Sequence, residues 1–319
     1  MKVLVTGGAG FIGSHLCQRL LNESYEVICL DNFDSYYDPN LKRKNVEQFL
    51  LNKNFKLVEG SICDEKLTQD IIRSDIEYVF HCAAQPGVRV SVDNPRKPHD
   101  INTTGTLNIL QACLKSNVKK LINASSSSVY GKAEYLPFDE DHPKMPASPY
   151  GVSKLAAEQY CRVFGEVYGL RVTSLRYFTV YGPRMRPDLA ISIFTRKALN
   201  NETIEIFGTG EKTRDFTYVN DVVEASLLAI DKGDGQAYNI GSGNRITISE
   251  LTQKILNITN SKSTIIHTQS QEGEAEHTWA NIDKAKRELG YAPKTNLEDG
   301  LRKYINWYSN EGLAWIKSQ

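Results

Sequence analysis

Tyr150-Gly151-Val152-Ser153-Lys154 sets a phenol and an ammonium four residues apart, on one face of any helix that contains them. A tyrosine beside positive charge has its pKa lowered, so it can take a proton from an alcohol and return it near neutral pH. The spacing alone says little in a chain with 16 tyrosines, but its context says more. Ser125-Ser126-Ser127-Ser128 follows the strand-like run Lys120-Leu121-Ile122-Asn123. At the carboxyl edge of a parallel sheet, where ligands bind, a hydroxyl from that run could bridge the reacting oxygen.

A second cluster is built to hold an anion. Gly7-Gly8-Ala9-Gly10-Phe11-Ile12-Gly13 follows the strand-like Lys2-Val3-Leu4-Val5-Thr6 and opens a helix-like stretch with Ile12, Leu16, Leu20 and Leu21 on one face. Gly7, Gly10 and Gly13 permit a tight turn and let a pyrophosphate reach unpaired N–H groups at a helix N-terminus, which Phe11 and Ile12 begin. Asp31 ends the next strand, where an acid can bind two ribose hydroxyls and repel a 2′-phosphate, favouring NAD over NADP. No G-K-[ST] follows the glycines, so a P-loop is excluded.

These groups need a frame. Glu26 to Leu30, Phe55 to Val58, Tyr78 to Phe80, the run 120–123 and Arg171 to Leu175 are short apolar strands separated by helical stretches. Such alternation predicts an α/β fold, a Rossmann-type doubly wound parallel sheet covered on both faces. From about Tyr181 the texture turns irregular, with Gly182-Pro183, Arg186-Pro187 and Gly208-Thr209-Gly210. The expected division is a cofactor-binding domain of 1–177 plus about 217–241, in which 219–231 and 237–240 return to the sheet. The other part, about 178–216 plus 242–319, is a smaller C-terminal α/β region that binds substrate.

Composition narrows the class. The 319 residues carry 38 Lys+Arg against 38 Asp+Glu, which argues against a nucleic-acid surface, since phosphate binding usually leaves a basic surplus. No apolar run approaches the ~20 residues that cross a bilayer, and a strand beginning at Lys2 leaves no room for a signal peptide. Six scattered cysteines without a C-x-x-C pair read as reduced core residues of a cytoplasmic protein. The six histidines lack metal-ligand spacing, so no metal is expected.

Gly7 to Gly13, His81-Cys82-Ala83-Ala84, the serines before Val129-Tyr130-Gly131, and Tyr150 with Lys154 together resemble the extended short-chain dehydrogenase/reductase family, and within it the nucleotide-sugar epimerases. The resemblance runs to Leu289-Gly290-Tyr291-Ala292-Pro293, nearly the whole chain. It implies tightly bound NAD lined by the glycine loop, Asp31, Asn32, Ser61, Ile62, Ala83, Ala84, Gln85, Asn102, Ser125, Lys154, Tyr177 and Phe178. It implies Tyr150 and Lys154 as catalytic residues, with Ser126, four before the Tyr of V-Y-G, as the catalytic hydroxyl and Ser127 as the fallback. Arg214 should bind the diphosphate of a UDP-sugar, with Arg89, Phe207 and Thr179 also on the substrate. A homodimer through 104–116 and 150–168 is implied as well; Leu107, Leu110, Leu114, Val163 and Val167 suit either that contact or the core. One departure is Gly60-Ser61-Ile62, where the family usually has Gly-Asp-Ile, its Asp binding the adenine amino group.

Sister activities differ at Ser127 and Ser128. The 4,6-dehydratases carry Asp-Glu there, and the UDP-xylose-forming decarboxylases carry Glu at the second position, so neither proton shuttle is present. Thr179-Val180-Tyr181-Gly182-Pro183-Arg184-Met185-Arg186-Pro187-Asp188 resembles the UDP-glucuronate 4-epimerase pattern, in which the arginine before Pro-Asp faces the sugar carboxylate. Tyr36-Tyr37-Asp38-Pro39 and the Gln271-x-Gly-Glu stretch lean the same way. Arg186 is therefore expected on the C6 carboxylate with help from Thr179, and Arg184 is the competing candidate. The expectation is NAD-dependent inversion at C4 of UDP-glucuronate through a 4-keto intermediate. The rivals are UDP-glucose or UDP-N-acetylglucosamine as substrate, and a non-catalytic NAD sensor or scaffold.

Overall fold

The computed structural model describes residues 1–73, 75–269 and 275–312. Continuous apolar strands need cover on both faces, and the first half of the chain supplies strands and cover alternately. It runs β1 (Lys2–Thr6), α1 (Phe11–Asn22), β2 (Glu26–Asp31), α2 (Pro39–Glu47), β3 (Phe55–Glu59), α3 (Glu65–Ile71) and β4 (Tyr78–His81). Short helices α4 (Val88–Asp93) and α5 (Arg96–Pro98) lead through a π-helical turn into α6 (Gly105–Lys115), β5 (Lys120–Ser126), α7 (Pro149–Tyr168) and β6 (Val172–Tyr177). Next come β7 (Thr179–Tyr181), α8 (Ala190–Leu199), β8 (Ile204–Phe207), β9 (Thr213–Arg214), β10 (Phe216–Tyr218), α9 (Val219–Leu228) and β11 (Ala237–Ile240). The remainder is β12 (Ile246–Thr247), α10 (Ile248–Thr259), β13 (Ile265–Thr268), α11 (Asp283–Leu289) and α12 (Leu297–Trp307).

Seven strands form one sheet in the order β11-β6-β5-β4-β1-β2-β3, every pair parallel. This is the expected Rossmann-type doubly wound sheet. The order reverses beside β1, which puts the crevice for a ligand at the carboxyl ends of β1 and β4. Val3, Val5, Leu16, Cys29 and Phe80 pack in one buried cluster; Leu4, Leu30, Val79, Ile109 and Leu121 pack in another. The residues 237–240 do join the sheet, as its edge beside β6.

Two expectations are adjusted. β5 runs on through Ser125 and Ser126, which pair with Arg176 and Tyr177 of β6, so half the serine run is strand rather than loop. Tertiary pairing overrides the polar composition there. All six cysteines are free thiols, but Cys63 is exposed in the turn after β3 rather than in the core.

Outside the seven-stranded sheet the strands pair as β10-β7, β12-β9 and β13-β8, and Thr217 and Tyr218, expected with the cofactor-binding part, pair with Val180 and Tyr181 of β7 instead. Tyr181, Ile191, Phe194, Ile204, Leu251 and Leu301 share a further buried cluster there. Of the residues suited to a dimer contact, Leu110 is fully buried, whereas Leu114 and Val167 are exposed. No helix among the described residues is long and apolar enough to cross a membrane. Those residues also contain no group of three or more metal-ligating side chains.

Candidate active site

The turn after β1 is shaped by close backbone approach. Gly7 has φ +66° and donates its N–H to the Leu30 carbonyl at 2.7 Å. A Cβ on Gly7 would lie 2.7 Å from the backbone nitrogen of Ala83, and one on Gly13 would collide with the Gly7 carbonyl. Only glycines let α1 begin this close to β1 and β4, and the first N–H groups of α1 then face the crevice. Asp31 caps the arrangement, accepting from the N–H of Ala9 at 3.1 Å and of Phe33 at 2.9 Å. Burial raises its pKa, opposed by Lys42 and by those backbone donors.

Ser148 starts α7, its hydroxyl accepting from the Gly151 N–H at 3.1 Å, and Pro149 sits in the first turn. Tyr150 and Lys154 then project from one face toward β5. The Lys154 ammonium donates to the Ala124 carbonyl, and burial brings its pKa down to about 8. The Ser126 hydroxyl lies close enough to Tyr150 to act on its pKa, and it accepts the Ser128 N–H at 3.1 Å. Ser127 opens a 3-10 turn in the same wall. The Tyr150 phenol departs from the expectation of a lowered pKa. Among the protein's own groups, burial dominates and raises it, while the nearby Ser126 hydroxyl and the charge of Arg186 oppose the rise.

Arg186 lies across the cavity, its Nε and Nη2 donating to Asp188 at 2.9 and 3.1 Å. Burial disfavours its charge, but Asp188 more than compensates and its pKa stands above the ordinary value. Arg184 faces elsewhere. Its Nη2 donates to Gln18 at 2.6 Å and to His15 at 3.1 Å, on the outer side of α1. The competing candidate therefore does not share the cavity of Tyr150. Thr179 and Arg214 line that cavity, as do Arg89 and Phe207, with the Arg89 guanidinium 5.1 Å from the Phe207 ring. Arg214 donates to the Thr213 and Glu276 carbonyls at 2.9 and 3.0 Å, while Asp215 is turned away onto Ser242, Gly243 and Ala280.

One cavity of about 890 Å³ brings together the glycine loop, Asp31, Asn32, Ser61, Ile62, Ala83, Ala84, Gln85, the serines, Tyr150, Lys154, Tyr177, Phe178 and these substrate candidates. Asn102 is the exception. It is buried behind the wall, joined to Gln85 at 2.7 and 3.1 Å and to Ser153 at 2.9 Å, so it ties the 83–85 turn to α7. The Tyr177 hydroxyl is occupied by Ser226 of α9 at 2.9 Å. Ser61 accepts the Cys63 N–H at 3.1 Å, a turn that an acid could also make. The Gln271-x-Gly-Glu stretch lies outside the described residues.

Sequence reasoning missed further lining residues, Lys42, Tyr36 and Asp188 among them. Lys42, near Asp31, donates to the Asp34 carbonyl at 2.8 Å, and Tyr36 and Asp188 meet at 3.1 Å. Tyr36 and Asp188 stand in segments singled out above, but their pairing across 152 residues has no local signal. The donor set suits a dinucleotide: glycines whose missing side chains leave backbone N–H groups open, a carboxylate at ribose position, and a buried ammonium beyond.

A protein-family model described as the NAD dependent epimerase/dehydratase family matches residues 3–241. UDP-glucuronate 4-epimerase 4 of Arabidopsis thaliana is 39% identical over 331 residues, covering 97% of this chain and 75% of its own. The crystal structure of UDP-glucose 4-epimerase with UDP-glucose from Thermotoga maritima superposes with TM-score 0.91 at 39% identity, covering 97% of this chain and 99% of its own. That of UDP-glucuronic acid 4-epimerase from Bacillus cereus, in complex with UDP-glucuronic acid and NAD, gives TM-score 0.90 at 38% identity, with the same coverage.

Proposed function

The chain belongs to the NAD-dependent epimerase/dehydratase family as a UDP-sugar 4-epimerase, an isomerase, and we propose that its substrate is UDP-glucuronate, converted to UDP-galacturonate. The observation that carries the choice of sugar is Arg186, a guanidinium in the same cavity as Tyr150 and close enough to act on its pKa. Ser127 and Ser128 support the reaction type, because dehydration or enzymatic decarboxylation would call for acids there.

The glycine loop, Asp31 and Lys154 hold NAD, which when bound supplies the acceptor and donor of a hydride. Ser126 bridges the sugar 4-oxygen and Tyr150. Tyr150 removes the 4-OH proton, holds it while the 4-keto sugar turns about its diphosphate link, and returns it to the inverted alcohol. Lys154 adds positive charge beside the phenol and stabilises its ionised form. Arg214 and Arg89 hold the diphosphate. The 4-keto glucuronate is a β-keto acid and loses CO₂ when its C5–C6 bond aligns with the carbonyl π system. Arg186 and Thr179 restrain the carboxylate out of that alignment.

UDP-glucose is the second reading, favoured by Asp188, a carboxylate of the protein's own already paired with Arg186. Six free thiols fit a cytoplasmic setting, and exposed Val152, Tyr160 and Val167 on α7 offer a face for a second copy. Incubating the NAD-loaded protein separately with UDP-glucuronate, UDP-glucose and UDP-N-acetylglucosamine tests the assignment. UDP-galacturonate without net NADH is the expected product; turnover of a neutral sugar alone refutes it.

A further inference from the structure

A guanidinium offers N–H groups on two usable edges, and the protein itself occupies one edge of Arg186. Asp188 takes Nε and Nη2 in a two-point pair at 2.9 and 3.1 Å. The same Asp188 Oδ2 accepts the Tyr36 hydroxyl at 3.1 Å. The Tyr36 ring lies 5.3 Å from the Arg186 guanidinium carbon, so one tyrosine contacts both members of the pair. Tyr36 is held in turn: its N–H donates to Asp34 at 2.9 Å, and Gly87, at φ +101°, leaves the room its hydroxyl needs. A Cβ on Gly87 would come within 2.5 Å of that oxygen.

We propose that Asp188, braced by Tyr36, is a positioning residue that directs the other edge of Arg186, bearing Nη1, at the C6 carboxylate of the sugar. The inference rests on the glucuronate reading. Asp188 shares the charge of Arg186, so its contribution is direction more than attraction. A guanidinium fixed on one edge presents the other in a single orientation, and the sugar carboxylate is restrained with it. Without that brace the C5–C6 bond of the 4-keto intermediate can swing into line with the C4 carbonyl. Its electron pair then passes to the carbonyl as an enolate, CO₂ leaves, C5 takes a proton, and a UDP-4-keto-pentose results.

The test uses the NAD-loaded wild type, Asp188→Asn and Tyr36→Phe with UDP-glucuronate labelled at C6. Released CO₂ is measured against UDP-galacturonate formed, and affinity for UDP alone serves as the folding control. Asp188→Asn should raise the CO₂ fraction by about tenfold and Tyr36→Phe by less, with UDP affinity within about twofold of wild type. An unchanged CO₂ fraction in Asp188→Asn overturns the inference while leaving the substrate assignment standing. So does an equal loss of UDP affinity and epimerisation without added CO₂. Wild type that makes no UDP-galacturonate removes both.

Discussion

Glu158 and Arg176 meet as a fully buried two-point ion pair beneath the serine run, with N–O distances of 2.6 and 3.0 Å. Glu158 also accepts the Ser125 hydroxyl at 2.7 Å. Arg176 donates to the Tyr130 hydroxyl at 2.8 Å, which donates on to Asn239 at 2.6 Å. Because Glu158 stands on α7 two turns beyond Tyr150, the pair clamps the helix carrying the base to β6, and the Ser125 hydrogen bond ties the same carboxylate to the strand carrying the serines.

Removing one member strands the other. Glu158→Gln leaves a buried guanidinium without its counter-charge and should cost about 3–5 kcal/mol of stability by chemical denaturation. Replacing Glu158 and Arg176 together with apolar residues of similar volume should cost markedly less.

The influence of Ser126, and not of Ser127, on the Tyr150 phenol separates the two serine candidates. Tyr150→Phe and Ser126→Ala should each lower kcat by about 10²–10⁴-fold with substrate affinity retained. Ser127→Ala should lower it by less than about tenfold, read in the same assay. An equal loss in Ser127→Ala would move the catalytic hydroxyl one residue along.

Gly13→Ala places a methyl group against the Gly7 carbonyl, backbone that cannot yield without moving the turn. An overpacking penalty of about 1–3 kcal/mol should fall on the nucleotide-holding conformation. NAD content after purification should drop by about tenfold, with the circular dichroism spectrum unchanged.

His81 makes stability fall in acid. Its ring nitrogens lie 2.8 Å from the Thr6 hydroxyl and 2.9 Å from that of Thr106, and burial, aided by the charge of Lys154, brings its pKa down to about 3. The ordinary value is 6.5, so the unfolded chain takes up the proton first. Stability is full above pH 6.5 and declines toward pH 3, by roughly 1.4 kcal/mol per unit for this one group. Denaturant midpoints measured at successive pH values should fall less steeply for His81→Asn.

Lys154 acts in the same direction in a more alkaline window. With a folded pKa near 8 against 10.5 unfolded, its burial penalty is fully present below pH 8 and lifts as pH rises toward 10.5. Lys154→Met should therefore be more stable than wild type at pH 7 while losing most epimerase activity, and thermal melts beside the activity assay check both.

What neighbours along the chain can specify was legible in the amino-acid order alone. A strand, three glycines and a helix start follow one another directly, and Tyr150 and Lys154 share a helix face by spacing. The acid at Asp31 needs only the next strand to end at the same edge. What depends on distant segments was not legible. Arg184 and Arg186 are two residues apart in one turn, yet the left-handed φ of +62° at Arg184 helps send the first to α1 while the second enters the cavity. Asn102 went behind the wall because Gln85 and Ser153, from two other segments, satisfy its amide there. Tyr36 found Asp188 only when the loop after β2 and the loop after β7 were folded over the same crevice. Local geometry determined which chemical groups this chain owns; the packing of one loop on another decided which of them face each other.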